Sequence, residues 1–169
     1  MKLRLIDPER LIPDAHVAAE AAVRGVEALI IEHLRKKDDG TKPDRRGMPK
    51  TNYYADAAKN VEASVDGATV RVEIDHPGIS LHYEGGTVYP KKKALAIPID
   101  PAVAGIWPSE YSQDHKLFKT PGGALGDAET GKILYILLPK ATIPADKSVL
   151  PTDEETLKTA EEAVWEAFS

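Results

Sequence analysis

The side chains best suited to chemistry in this chain of 169 residues are its histidines, serines and carboxylates, which fall into a few loose groupings. His76, His82 and Glu84 carry ligand-type atoms for zinc, which takes imidazole nitrogen and carboxylate oxygen in a tetrahedral shell. Their spacing is poor. His76 precedes the turn pair Pro77-Gly78, and His82 and Glu84 share a face only if their short segment is extended. The competing reading is ordinary hydrogen bonding at an interface. The same His82 and Glu84 define the enzyme alternative, a small hydrolase, which requires a pocket where the two converge with a perturbed carboxylate.

Ser80, Ser109 and Ser112 are the nucleophile candidates, with His82 or His115 as bases. None lies in a Gly-x-Ser-x-Gly elbow or another strained nucleophile context, so they read as polar loop residues. Gly85-Gly86 and Gly122-Gly123 belong to neither a dinucleotide fingerprint nor a phosphate loop, and glycine there reads as turn chemistry. The absence of cysteine removes disulfides, thiolate metal sites and a thiol nucleophile together. No catalytic residue, cofactor or metal is expected.

Charge is the more informative signal. Lys91, Lys92 and Lys93 form one basic cluster, and Lys42, Arg45, Arg46 and Lys50 make the stretch 38–52 basic. Near the other end Asp153, Glu154, Glu155, Glu161, Glu162 and Glu166 face only Lys158. A basic tip and an acidic helix on one chain are suited to meet between neighbours joined head to tail. The competing readings are solvated surfaces, or a nucleic-acid-binding module built on the lysine cluster. The latter needs a continuous basic face, and the net charge of -5 argues against broad non-specific binding.

These residues must be positioned by a globular chain, since 42% hydrophobic and 29% charged residues are ordinary usage. One domain spanning 1–169 is the expectation, because a chain near 150 residues already buries roughly 68–70% of its unfolded surface. No apolar run approaches the roughly 20 residues that span a bilayer, so no membrane partner is expected. Asp14 is the expected cap of a long helix with apolar residues at Ala19, Ala22, Val23, Val26, Leu29, Ile30 and Leu34, closed by Arg35-Lys36-Lys37 and stopped at Asp38-Asp39-Gly40. Gly25 inside it marks a point of close packing. The loop 38–52 is expected to become ordered on assembly.

Thr51 or Asn52 should then cap a short helix through Tyr53 to Lys59. Alternation at Val61, Ala63, Val65 and then Val70, Val72, Ile74 around Asp66-Gly67 predicts a hairpin. A second hairpin is expected from Thr87 to Ile99 around Pro90-Lys91-Lys92-Lys93. The stretch from Pro101 to Gly131 suggests loops, one helical turn and short strands. Ile133 to Leu138 should be a central strand. Thr152 with Glu155 forms a capping box, and Leu157, Ala160, Val164, Trp165 and Phe168 supply the expected inner face of a terminal helix. The fold class is therefore α+β: an antiparallel sheet built from hairpins, packed by a long N-terminal helix and a C-terminal helix.

Residues 76–100 read HPGISLHYEGGTVYPKKKALAIPID, and this string resembles the virion-morphogenesis and tail-completion proteins of long-tailed bacteriophages. The order matches: a His, aromatic and Gly-Gly segment, a strand, a Pro-Lys-Lys turn, then a Leu-Ala-Ile-Pro strand. In outline the similarity extends to the opening helix, Asp39-Gly40-Thr41-Lys42-Pro43, the strand Lys132 to Leu138, and Ala141-Thr142-Ile143-Pro144-Ala145 before an acidic helix. The Arg and Phe that family members carry after the late strand are missing from Pro144 to Leu150, and Ile106 to Ala128 matches no family pattern. The resemblance implies a structural subunit made in the host cytoplasm and located in the virion, at the head-to-tail junction or tail top. It implies a ring of copies, expected as a hexamer through which DNA would pass, in contact with neighbouring neck or tail proteins. The interface residues it suggests are Arg45, Arg46, Tyr83, Gly85, Gly86, Lys91, Lys92, Lys93, Glu161 and Glu162.

Overall fold

The structure, a computed structural model, describes residues 15–39, 47–49, 51–66 and 69–169. The expected cap Asp14, the turn residue Gly67, and Arg45 and Arg46 with most of the basic loop lie outside the described residues. The fold is α+β with antiparallel pairing throughout. The chain divides into two compact units, one drawn from 15–39, 52–79 and 147–169, the other chiefly from 80–146.

In the first unit, α1 (Ala15–Asp39) buries Ala19, Val23, Val26 and Leu34, the stripe that a 3.6-residue repeat places on one side. Asp38 and Asp39 belong to this helix rather than to the loop after it, and Asp38 is buried. Short helix α2 (Tyr53–Ala57) runs into a 3-10 turn at Ala58–Asn60. Asn52 occupies its N-cap position in a left-handed conformation, φ 52°, without a side-chain capping bond.

Strands β1 (Val61–Asp66) and β2 (Thr69–Ile74) pair as predicted. The register sets Val61 opposite Ile74, Ala63 opposite Val72 and Val65 opposite Val70, so the valine face lies on one side of the ribbon. Helix α5 (Asp153–Ala167) opens with the complete capping box: the Thr152 hydroxyl accepts from the Glu155 amide, and the Glu155 carboxylate accepts from the Thr152 amide. At Gly25 the two long helices approach closely. A Cβ placed on Gly25 would lie 2.8 Å from Ala163 Cβ and 3.4 Å from the Thr159 carbonyl oxygen.

The face predicted for α5 holds at Ala160 and Val164 and is corrected at Leu157, Trp165 and Phe168. Thr156, Thr159, Ala160, Ala163 and Val164 are half-buried, whereas Leu157, Trp165 and Phe168 are 62%, 75% and 43% exposed. The small residues take the side that a glycine lets approach closely, and the large ones are turned outward.

The second unit begins after Ile79, the first residue of α3 (Ile79–Glu84). Strand β3 (Gly86–Val88) follows, then β4 (Leu95–Pro98), α4 (Pro108–Asp114), β5 (Leu117–Lys119), β6 (Ala124–Asp127), β7 (Ile133–Leu138) and β8 (Ala141–Ile143). The expected second hairpin does not form. β3 pairs with β8, and β4 pairs with β7, so the strands flanking Pro90 belong to different sheets. Nor is there a single sheet: the described residues make two two-stranded sheets and one four-stranded sheet ordered β4-β7-β6-β5. The stiff Pro90-Lys91-Lys92-Lys93 link does not bend back into a tight turn, and each flanking strand takes a distant apolar partner. β7 is an inner strand of the larger sheet, as its unbroken apolar run predicts, and buries Leu134 and Tyr135.

Candidate assembly interface

Each functional candidate is placed by a local device. Gly85 ends α3 with φ 74°, and its amide donates to the Leu81 carbonyl at 2.9 Å. Any larger residue is excluded there, because a Cβ would come within 2.6 Å of the Ala145 backbone nitrogen. The half-buried Gly85 thus lets the chain turn from α3 into β3 beside the segment after β8. The Asp146 amide closes the same junction by donating to the His82 carbonyl at 2.9 Å.

His82 and Glu84 sit two positions apart on helical α3, so they point to different sides and do not converge. Tyr83, between them, is half-buried. His76 precedes α3 in the chain, and its ring packs edge-on against Tyr53 with centroids 4.7 Å apart. Among the described residues no group of three or more His, Asp or Glu side chains is arranged to hold a metal ion. Ser109 and Ser112 lie on α4, where the Ser112 hydroxyl donates to the Ser109 carbonyl, and His115 stacks on Tyr111 at 4.5 Å.

The lysine tip is presented between anchored ends. β3 is fixed by Gly86 opposite Ile143 and Val88 opposite Ala141, and β4 by Leu95 opposite Leu138 and Ile97 opposite Ile136. Lys91, Lys92 and Lys93 between them are exposed, as is Tyr89 at 67%. None of the three ammonium groups has an ion-pair partner among the described residues.

Beside this tip the larger sheet carries an open groove. Ala96, Leu137, Leu125 and Tyr135 share one sheet face by register. Val103 and Tyr111 pack over the Tyr135 end of it. The other end is left uncovered as a groove of about 860 Å³, floored by Ala96, Leu125 and Leu137 and rimmed by Lys92, Lys93 and Lys119.

Two carboxylates hold the cover in place. Asp100 accepts from the Ala102 amide at 2.9 Å, which caps the 3-10 turn bearing Val103, and meets Lys132 at 2.6 Å. The Lys132 ammonium, and then the Ala102 amide, hold the Asp100 carboxyl below the usual carboxylate range. Asp127 accepts from the amides of Glu129 and Thr130, from the Thr130 hydroxyl and from the Tyr111 hydroxyl, at 2.7 to 3.1 Å. The Thr130 amide and hydroxyl chiefly lower its pKa, while burial first, and Asp127 second, raise that of Tyr111. The Tyr135 hydroxyl donates to the Ile106 carbonyl, pinning the segment that leads into α4.

Glu161 and Glu162 lie on α5 in the first unit. Glu162 is 3.7 Å from Lys158, while Glu161 borders a shallow depression formed with Ala22, Val164 and Trp165. The outward stripe of Leu157, Trp165 and Phe168 and the lysine-rimmed groove are the features that sequence reasoning missed. Small residues at 156, 159, 160 and 163 opposite Gly25 were the available signal for the first. No local signal marks the second, whose floor is assembled from three strands.

Comparison with protein-family models, with curated proteins and with solved structures returned no match.

Proposed function

We propose that this protein is a structural component of a tailed-phage particle, a tail-completion or neck subunit that works by assembling at the head-to-tail junction or tail top. The observation that carries this reading is the segment 76–100, which resembles that family in the order of its His, aromatic, Gly-Gly, Pro-Lys-Lys and Leu-Ala-Ile-Pro features. The local geometry supports it. Three exposed ammonium groups, without an ion-pair partner among the described residues, are held between strands anchored in separate sheets, an arrangement that fixes a charged tip in position without burying it. Such a tip steers association and selects register against a negative neighbour. The partners are then further copies in a ring, taken as a hexamer, and adjoining neck or tail proteins, with the ring open to DNA.

The direct test is to determine the protein's mass in solution and its location in purified particles, using a tagged chain and electron microscopy. A fixed stoichiometry at one end of the tail is the expected result. Its absence from purified infectious particles overturns the proposal.

A further inference from the structure

Two surfaces on this chain are complementary in both polarity and charge. Leu157 and Trp165 on α5, with Phe168 at its C-cap, are exposed by 62%, 75% and 43%; Glu161 lies between Leu157 and Trp165 at four-residue spacing, and Glu162 and Glu166 lie to one side. On the larger sheet, the groove of about 860 Å³ has an apolar floor of Ala96, Leu125 and Leu137 and a rim of Lys92, Lys93 and Lys119. One surface is a ridge that carries apolar and acidic side chains together, the other a trough with a basic border. An apolar helical face laid into an apolar groove is a recurrent mode of recognition.

We infer that α5 of one copy docks into the lysine-rimmed groove of a second copy, with Trp165 as the central anchor and Glu161, Glu162 and Glu166 against the lysine rim. The inference rests on the assembly reading above and names the contact that carries it. Ridge and groove are different surfaces of the same chain, so the contact is heterologous. Every copy offers one of each, and repetition continues until the rotation closes a ring or extends a filament.

The physical weights favour this pairing. Tryptophan buries roughly 150–250 Å² and is enriched among the residues that dominate interface energy, so an exposed Trp165 is costly surface to leave in water. The charges around it are exposed and contribute mainly to encounter rate and partner choice. Their effect falls as salt shortens the Debye length below about 8 Å.

The test uses the full chain, which has no cysteine of its own, so introduced thiols are unambiguous reporters. Light scattering across a concentration series should show self-association that weakens with salt. Trp165→Ala removes an exposed side chain and should leave the fold intact while weakening association about tenfold or more. The pair Lys92→Glu with Lys93→Glu should weaken association, the pair Glu161→Lys with Glu162→Lys should do the same, and an equimolar mixture of these two variants should associate in alternation, since both kinds of mixed junction set opposite charges against each other. A short thiol cross-linker should join a Glu161→Cys chain to an Ala94→Cys chain. Cross-links running only from α5 to α5, or full association by Trp165→Ala, overturn the groove contact while leaving the assembly reading standing. A wild-type chain that stays monomeric throughout the series also overturns it, whereas the assembly reading is judged separately by location in the particle.

Discussion

At the scale of single residues, Asp127 organises the most. Its carboxylate gathers the turn amides of Glu129 and Thr130, the Thr130 hydroxyl and the Tyr111 hydroxyl, tying α4 to the end of β6. Because those donors favour the charged form, its folded-state pKa is depressed, and the unfolded chain binds more protons near pH 4. Its contribution is therefore present above the ordinary carboxylate pKa near 4 and is lost as pH falls through the lower folded value. Asp127→Asn should lower Tm at pH 7, and the gap to wild type should narrow as the solution is acidified toward pH 3. Thermal unfolding followed across that range checks it, and a pH-independent gap refutes it. Asp100 and Glu155 are depressed as well, so the variant should keep part of the acid sensitivity. The sequence Asp127-Ala128-Glu129-Thr130-Gly131 has the composition of a side-chain-capped turn, yet the reach from Tyr111 depends on how α4 folds over the sheet.

At the scale of elements, Gly25 lets the two long helices approach closely. Replacing it with Ala gains about 1 kcal/mol of helix propensity, but the new Cβ would sit 2.8 Å from Ala163 Cβ, and overpacking costs about 1–3 kcal/mol. Gly25→Val adds more volume with less propensity and should lose about 1–3 kcal/mol in denaturant unfolding, with partial recovery when Ala163→Gly is added. Full stability of Gly25→Val would mean that the helices do not need this approach. Elements whose signals are local were legible: α1, the β1–β2 hairpin, the capping box of α5 and the inner strand β7. The pairing of β3 and β4 was not, because alternation identifies a strand and its faces without naming its partner. The face of α5 was misread in part, for a related reason. Ala160 and Val164 pack as the period suggests, but the packed side extends to Thr156, Thr159 and Ala163, opposite Gly25, and not to Leu157, Trp165 and Phe168.

At the scale of the whole molecule, the distribution of charge matters more than its sum. The triple change Lys91→Glu, Lys92→Glu, Lys93→Glu touches no core residue, so the folded chain should keep its stability within about 0.5 kcal/mol. On the assembly proposal, incorporation into particles falls, and the defect is most severe at low salt, where repulsion from the proposed acidic neighbour is least screened. Normal yields of infectious particles at physiological salt would reduce the tip to a solvated turn. This basic cluster and the acidic helix were both visible in the sequence. The groove beside the cluster was not, since its floor comes from β4, β6 and β7.

The discontinuous build of the first unit has a bearing on how the protein is made. α1 meets α5 only after the 113 residues between them have been made, a wait of about 6 to 23 s at ~5–20 residues per second. In that interval the early hairpin and α2 are on hand to shelter part of the α1 stripe, and all of 80–146 emerges and can close upon itself. Translation order therefore makes the inserted unit the earlier one to mature. Installation of α5 becomes the late event, and with it comes exposure of the tryptophan ridge. A nascent chain would then carry a finished groove on 80–146 before it carries a seated α5.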